Sequence, residues 1–573
     1  MSERVNPIVM PQADRTRQSK GEALEGREVD GLALDEVRRL LGDVSQHPDL
    51  LIEHLHKMQD QFGYLSAAHL TALAQEMRLA HTQVFEVASF YHHFDVVKEG
   101  ETAPPALTVR VCDGLACQMA GGGEMLARLP RLLGNDVRVV ASQCIGRCEH
   151  APAVAVGQNP VAPAHVETVT EAVAAGAMRQ SPQSMCDYID YAAYRAAGGY
   201  RLLHECTSGT RDAETVIRVL EESGLRGLGG AGLPAGRMWR NVRAEPGPRL
   251  MAVDIHEDEP GTFKDRVLLE RDPHRFLEGM LIAAWAVDIE QVYIYLRDEY
   301  HGCREMLANE IESLLLELPI AGLPPIHLRR SAGARICGEE SAMIESIEGK
   351  CALPRLRPPE VARVGLFGRP TLVHNFETLF WVREVIEKGS AWFASSGRHG
   401  RDGLRWFSVS GRVKNPGLKL VPAGITIAEL IDEFCGGMQE GHKFYAYLPG
   451  GASGGILPAT LNDIPLDFDT LRPYGCSIGR AVIVLSHRDT TVDAARSMLR
   501  FFKNESCGQC ARCRDDTARA SALIEKRVWD LNLLGNFSNA MRGASICALG
   551  HAAPNPIDCV VKYFPHELTA PAR

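Results

Sequence analysis

Gly227-Leu-Gly-Gly-Ala-Gly232 satisfies the G-x-G-x-x-G spacing, and its flanks decide which fold it belongs to. In a dinucleotide-binding fingerprint that loop follows a strand and opens a helix. Here the preceding residues, Asp212-Ala-Glu-Thr-Val-Ile-Arg-Val-Leu-Glu-Glu222, read as a helix. The Rossmann reading therefore fails on context. Two readings stay open: a flexible turn, or a different phosphate-cradling loop in which glycines let backbone N–H groups approach an anion.

Around this loop lies a chain of 573 residues, 45% hydrophobic, 23% charged and 6% aromatic. At about 150 residues per domain the length predicts three or four domains, and the composition excludes a disordered or fibrous protein. A net charge of −10 gives no electrostatic reason to bind nucleic acid or an anionic membrane. The apolar run Met280-Leu-Ile-Ala-Ala-Trp-Ala-Val287 ends at Asp288, too short to span a bilayer. The first thirty residues lack the apolar segment of a secretory signal. The expectation is a cytoplasmic protein with no membrane insertion.

Sixteen cysteines in such a chain point to metal binding before disulfides. Eight are dispersed and eight fall into two groups. Cys507-Gly-Gln-Cys510-Ala-Arg-Cys513, with Cys547 downstream, lets one tight loop aim three sulfurs at one cluster while a distant cysteine closes the fourth corner. That run is similar to the ferredoxin type that holds [4Fe–4S]. Cys112-x4-Cys117 and Cys144-x3-Cys148 each sit at the end of an alternating stretch, residues 107–112 and 137–144. Two strand-end loops with two sulfurs each suit a [2Fe–2S] cluster. Zinc remains open for both groups on spacing alone.

The chain divides into a polar tail (1–33), a helical stretch followed by a small α/β unit (34–178), a polar linker (179–200), a larger α/β region (201–400), a Gly- and Pro-rich β region (401–482) and a helical end (483–573). Ser66 reads as an N-cap ahead of Leu70, Leu73, Ala74 and Met77. Pro449-Gly-Gly-Ala-Ser-Gly-Gly-Ile456 reads as a flexible loop. Val492, Ala495, Leu499 and Phe502 share one face of a helix leading into Cys507.

Gly224–Trp239 resembles the flavin loop of the NADH-binding flavoprotein of respiratory complex I. So do Glu257-Asp-Glu-Pro-Gly-Thr-Phe-Lys-Asp265, Ile336-Cys-Gly-Glu-Glu-Ser341 and Arg369-Pro-Thr-Leu-Val-His-Asn-Phe-Glu-Thr-Leu379. The Cys507 group matches that flavoprotein's [4Fe–4S] motif, and residues 36–178 look like the small thioredoxin-fold [2Fe–2S] protein of complex I, joined in front. The fused order is that of diaphorase subunits. Leu51–His56, Phe94–Gly100 and Tyr447–Leu457 look most like the β subunit of a molybdenum- or tungsten-dependent formate dehydrogenase. The fold so implied is multidomain α/β: a helical plus thioredoxin-like [2Fe–2S] domain, an α/β FMN- and NADH-binding domain, a ubiquitin-like (SLBB-type) β domain and a C-terminal helical bundle with [4Fe–4S].

The resemblance implies FMN and NAD as cofactors beside the two clusters, and electron flow to or from a partner α subunit that holds a Mo/W-pterin site. FMN matters there because a hydride carries two electrons and iron–sulfur clusters move one at a time. The ligand set it implies is Gly227, Gly229, Gly230, Gly232, Trp239, Asp254, His256, Glu257, Glu259, Gly338, Glu339, Glu340, His374, Asn375 and Thr378. Glu259 and Glu340 are its cofactor-facing, catalytic carboxylates. The metal ligands are Cys112, Cys117, Cys144, Cys148, Cys507, Cys510, Cys513 and Cys547. The sequence departs from the family pattern in the flavin pocket. Leu233 replaces a Phe, Ala235 a Thr and Met238 a Lys. Asp254 and His256 replace an Asn and an Asp, Arg335 a Tyr and His374 an Asn. Arg335 or Arg237 could restore the lost positive charge. The alternatives are an electron-transfer subunit with a degenerate flavin site, or the diaphorase of an NAD-reducing hydrogenase or complex I-like assembly.

Overall fold

The computed structural model describes residues 29–180 and 187–569. Most of the expected tail (1–28) and part of the expected linker (181–186) lie outside the described residues. The first helix, Gly31–Leu41, begins inside the span read as tail, where the Asp30 carboxylate accepts the Ala33 N–H at 2.8 Å. Helices Leu51–Phe62, Ala67–Glu76 and His81–Phe90 follow. Ser66 caps the third as its sequence predicts, accepting the His69 N–H at 3.1 Å, and Leu70, Leu73, Ala74 and Met77 are buried.

Strands Leu107–Cys112 and Val137–Ser142 pair in parallel. Val154–Val156 and Asn159–Val161 continue the sheet antiparallel, and helices Gly122–Leu133 and Val166–Ala174 accompany it. The strand ends therefore bring Cys112 and Cys144 side by side, as the alternating pattern predicts.

The larger α/β region has four parallel strands in the order Thr371–Asn375, Arg249–Ile255, Ile289–Leu296, Ile326–Arg330. Asn375 stands opposite Asp254, and Asp254 opposite Tyr295, so the carboxyl ends of three strands meet at one edge. Ligands of open parallel sheets bind in that place. The span 179–200 is not all linker. Helix Tyr191–Ala196 lies within it, and Tyr191, Tyr194 and Tyr200 are buried in the core of this region. The Tyr194 hydroxyl donates to Glu278 at 2.7 Å, and the Tyr200 hydroxyl meets His274 Nδ1 at 2.7 Å. Their hydroxyls look polar in sequence, but a tyrosine ring buries well when its O–H finds a partner.

The β region is a five-stranded mixed sheet, ordered Gly417–Pro422, Leu404–Gly411, Ala481–Ser486, Phe444–Ala452, Leu457–Pro458. Here the expectation of a flexible loop at 449–456 is corrected. Residues 449–452 continue strand Phe444–Ala452 and are buried. Glycine is needed there for contact rather than freedom: a Cβ on Gly450 would meet the Ser477 carbonyl at 2.5 Å. The chain ends in helices Thr491–Asn504, Ala511–Ile524, Leu531–Ala544 and Asn555–Tyr563, with shorter turns between. Ala495, Leu499 and Phe502 form the buried face of the first of these. Among the described residues no helix is long and apolar enough to cross a membrane.

Helix Pro273–Val287 crosses helix Phe376–Lys388 at Gly279, where a Cβ would stand 2.0 Å from the Leu379 carbonyl. Gly279→Ala should therefore destabilise the protein by about 3 kcal/mol or more, since backbone cannot yield as a side chain can. Gly123→Ala, in a helix with nothing within 4 Å, should be neutral or slightly stabilising. Thermal unfolding of both variants checks the contrast.

Candidate functional site

A cavity of about 470 Å³ opens at the carboxyl ends of the parallel strands. Gly227, Gly229, Gly230 and Gly232 form one wall, and Asp254, Glu259, Gly338, Glu339, Glu340, His374 and Asn375 form others. Of the residues the sequence nominates, these eleven reach the cavity. Trp239, His256, Glu257 and Thr378 stand behind it.

The glycine loop has its special residues for steric reasons. Gly232 has φ +66°, and a Cβ there would lie 2.5 Å from the Phe468 ring. A Cβ on Gly229 would press on Asn375 at 3.1 Å. Thr378 anchors the loop: its hydroxyl accepts the Leu228 N–H at 2.9 Å and donates to Asn375 Oδ1. That leaves Asn375 Nδ2 buried without a partner. A buried amide N–H₂ lacking an acceptor beside a cavity is a site waiting for a ligand's oxygen or nitrogen.

Trp239 supports His374. The indole Nε1–H donates to His374 Nε2 at 2.8 Å. Because indole only donates, His374 Nε2 must accept, and the ring proton sits on Nδ1. Burial pushes His374 down to about 4, so it is neutral.

Charge at the cavity is matched in pairs. Arg480 Nη2 holds Asp254 Oδ2 at 3.0 Å while its Nε donates to the Gly229 carbonyl at 3.2 Å. Arg335 reaches Asp258 at 2.8 Å and Glu259 at 3.2 Å. The second Glu259 oxygen accepts the Ser453 N–H at 2.7 Å. Burial opposes the charge on Asp258, yet Arg335 and His256 beside it hold its carboxyl at about 2. Arg357 pairs with Glu339 at 2.8 Å and Glu340 at 3.0 Å. Burial pushes the Glu340 carboxyl up while Arg357 pulls it down.

Four expectations need adjustment. His256 does not face the cavity: its Nε2 lies 3.0 Å from both Asp258 Oδ2 and the Ala334 carbonyl. Glu257 caps helix Lys264–Leu269, accepting the N–H groups of Asp265 and Arg266 at 3.0 and 3.1 Å. Burial, with Asp265 nearby, raises it to about 7. Trp239 and Thr378 act through His374 and Asn375. Arg237 is exposed, and Arg335 supplies the positive charge at the cavity. The residues sequence reasoning missed are Arg480, Arg357 and Ser453. Arg480 and Ser453 meet their partners at separations of 226 and 194 residues, beyond any local motif, and Arg357 reaches Glu339 from 18 residues away.

The cysteines gather in the two expected quartets. Cys112, Cys117, Cys144 and Cys148 are buried around Phe263 of the flavin-side loop, and the Cys144 and Cys148 sulfurs are 3.2 Å apart. Cys510 Sγ accepts the Ile546 N–H at 3.3 Å, which ties the Cys547 segment to the Cys507–Cys513 run. Four thiolates at each site are the ligand set of an iron–sulfur cluster or of zinc. The second quartet adjoins the cavity, and the first is tied to the loop behind it. Ala548 and Leu549, the residues after Cys547, line it, and the Cys144 carbonyl is bound by Arg297, which also binds the Glu257 carbonyl.

Comparison with known proteins agrees with this geometry. Residues 37–177 match the thioredoxin-like [2Fe–2S] ferredoxin family, and 220–384 match the Nuo51 FMN-binding domain. Residues 407–457 match the SLBB domain, and 493–571 match the NADH-ubiquinone oxidoreductase-F iron–sulfur binding region. The F 2 subunit of NADH-quinone oxidoreductase from Rhizobium meliloti (strain 1021) is 38% identical over 392 residues, 66% of this chain and 93% of that protein. NADH dehydrogenase [ubiquinone] flavoprotein 1, mitochondrial, of Dictyostelium discoideum is 37% identical over 376 residues, 62% of this chain and 78% of that one. A chain in the crystal structure of an NAD⁺-reducing [NiFe]-hydrogenase in the H2-reduced state superposes with TM-score 0.80 at 28% identity, over 91% of this chain and 92% of its own length.

The His374 arrangement predicts a pH effect. Its folded pKa lies below the unfolded value, so between about 6.5 and 4 the unfolded chain takes the proton first and stability falls as pH falls. From pH 7.5 to 5 the protein should lose about 2 kcal/mol more stability than His374→Asn, which cannot titrate. Denaturant unfolding at the two pH values checks this; equal losses would refute the buried neutral imidazole.

Proposed function

The chain belongs to the family of NADH-quinone oxidoreductase F subunits, and from that premise we propose that it is the NAD(H)-linked diaphorase subunit of a formate dehydrogenase. It is a multidomain α/β protein with a thioredoxin-like [2Fe–2S] domain, an FMN-binding domain, an SLBB domain and a C-terminal [4Fe–4S] region. The observation that carries the proposal is one cavity at the strand ends, walled by the glycine loop and by residues 548–549 next to Cys547, in a chain whose other sulfur quartet packs on Phe263 of the same α/β region.

The residues present fit the cofactors. The loop from Gly227 to Gly232 would hold the flavin phosphate through backbone N–H groups. Asn375 Nδ2 and the Nδ1–H of His374 are donors for the bound cofactors. Glu259 and Glu340, each held by an arginine, shape the acidic side of the cavity. Leu233 is half-exposed at its rim, where it offers apolar contact to a nicotinamide. FMN supplies hydride exchange with nicotinamide and single-electron exchange with clusters. Glu259, bonded to Arg335 and the Ser453 N–H, fixes the loop between cavity and [2Fe–2S] quartet.

The formate dehydrogenase partner, an α subunit with a Mo/W-pterin site, rests on the resemblance of residues 51–56, 94–100 and 447–457. A second reading has its own observation. The hydrogenase chain aligns with nearly the whole length here, including the fused [2Fe–2S] domain, whereas the oxidoreductase relatives align with 66% or less. A hydrogenase partner would use the same cofactors and the same cavity.

Purified chain should contain one FMN and two clusters distinguishable by EPR, and should reduce ferricyanide with NADH. Gly232→Ala should lose most of its flavin while keeping both clusters. Assembled clusters without flavin or NADH activity in the unaltered chain would favour a purely electron-transferring role. The complex purified with its partner should reduce NAD⁺ with formate; reduction with H2 instead would assign the second reading.

A further inference from the structure

His56, His93 and Asp298 bring one potential ligand atom each to within 4.8 Å of one another. His56 comes from helix Leu51–Phe62, His93 from the turn after helix His81–Phe90, and Asp298 from the loop after strand Ile289–Leu296. We infer that these three residues bind one divalent transition-metal ion, zinc by its ligand chemistry, at the junction of the N-terminal helices and the flavin domain.

The ring proton of His56 is placed for coordination. His56 Nε2 lies 3.1 Å from the Ser331 carbonyl, which only accepts, so the proton is on Nε2. Nδ1 is then a lone-pair donor, and it is buried without a partner. Metal-binding histidines characteristically give their other N–H to a backbone carbonyl in this way. His93 Nδ1 lies 3.3 Å from Asp298 Oδ2. Two ligands on one tetrahedral ion with bonds of about 2.0 Å stand roughly 3.3 Å apart. His301 Nε2 is 3.9 Å from the same oxygen, near enough to close a fourth corner. Burial pushes all three imidazoles down, so each is neutral, the form that ligates.

The Asp298 carboxylate is divided. Arg330 binds Oδ1, with Arg304 at 3.8 Å from it, while Oδ2 faces the histidines. Arg330 is itself held by Asp60 at 2.5 and 3.1 Å, which offsets its charge toward an incoming cation. A cavity of about 470 Å³ lined by His93, Asp298 and His301 gives access. Two imidazoles and a carboxylate suit zinc, and iron or nickel less selectively. The ion would fasten the helical segment on one side to a flavin-domain loop on the other.

The test uses the full chain with flavin and clusters loaded. Co²⁺ is titrated as a spectroscopic probe into the unaltered protein, His93→Gln and His301→Gln, and metal content is measured with iron as internal reference. One equivalent should bind with the visible bands of a tetrahedral nitrogen–oxygen site and no sulfur charge-transfer band. Zn²⁺ should displace it, and His93→Gln should weaken binding beyond the roughly 10–100-fold typical of lost outer partners. Iron and FMN content should be unchanged in both variants. No stoichiometric binding, unchanged affinity in His93→Gln, or sulfur charge-transfer bands would overturn the site. If His93→Gln fails to fold, zinc-edge X-ray absorption on the unaltered protein decides it: imidazole scattering supports the site, and sulfur-only scattering or no zinc refutes it.

Discussion

Arg480 holds the flavin cavity together. Its guanidinium reaches the Asp254 carboxylate at the end of a parallel strand, the Gly229 carbonyl of the glycine loop and the His256 carbonyl, while its backbone carbonyl accepts the Ser408 N–H in the β sheet. One buried cation therefore joins the strand end, the phosphate-type loop and the next domain. Removing one member of a buried pair leaves the other charge uncompensated, at a cost of about 3–5 kcal/mol. The glycine wall, the strand edge and the β domain are held in register by that constraint.

The same logic explains how a pocket that departs from its family's pattern can stay intact. Asp254 adds a negative charge where the family has an amide, and Arg480 neutralises it. Arg335 adds a positive charge where the family has a tyrosine, and it lies between Asp258 and Glu259. His374 replaces an asparagine and stays neutral because it is buried and accepts from Trp239. The changes are matched in charge and in hydrogen bonding, so the substituted pocket has no unpaired buried carboxylate at Asp254, Asp258 or Glu259.

Legibility in the sequence follows the range of the interactions. The strands ending at Cys112 and near Cys144, the Ser66 cap, the helix before the glycine loop and the short cysteine spacings within each group all depend on residues close in sequence, and they are readable there. Residues 191–200 and 449–452 escape a local reading because their burial depends on distant partners: Glu278 and His274 for the tyrosines, the Ser477 carbonyl for Gly450. In the site, motifs reveal the glycines and carboxylates. Their arginine partners stay hidden, because Arg357 and Arg480 carry no local signature. His256 and Glu257 hold motif positions, yet His256 bonds Asp258 and the Ala334 carbonyl while Glu257 caps a helix, so both stand behind the cavity wall.

Hydrogen bonds also couple the cavity to the [4Fe–4S] segment. Ser453 in the β domain donates to Glu259, Glu259 pairs with Arg335, and the Arg335 N–H donates to Glu505 at 2.6 Å, two residues before Cys507. The bonds to Glu259 are charge-assisted and so stronger than neutral hydrogen bonds, whereas burial, with Asp258 nearby, pushes the Glu505 carboxyl up to about 8. A shift at any one of them moves the next. The segment before the first cluster cysteine is thus tied through Arg335 to the carboxylate that borders the cavity, and residues 548–549 give a second contact next to Cys547. Two connections, one polar through Glu505 and one apolar through Ala548 and Leu549, hold the cluster segment against the cavity wall.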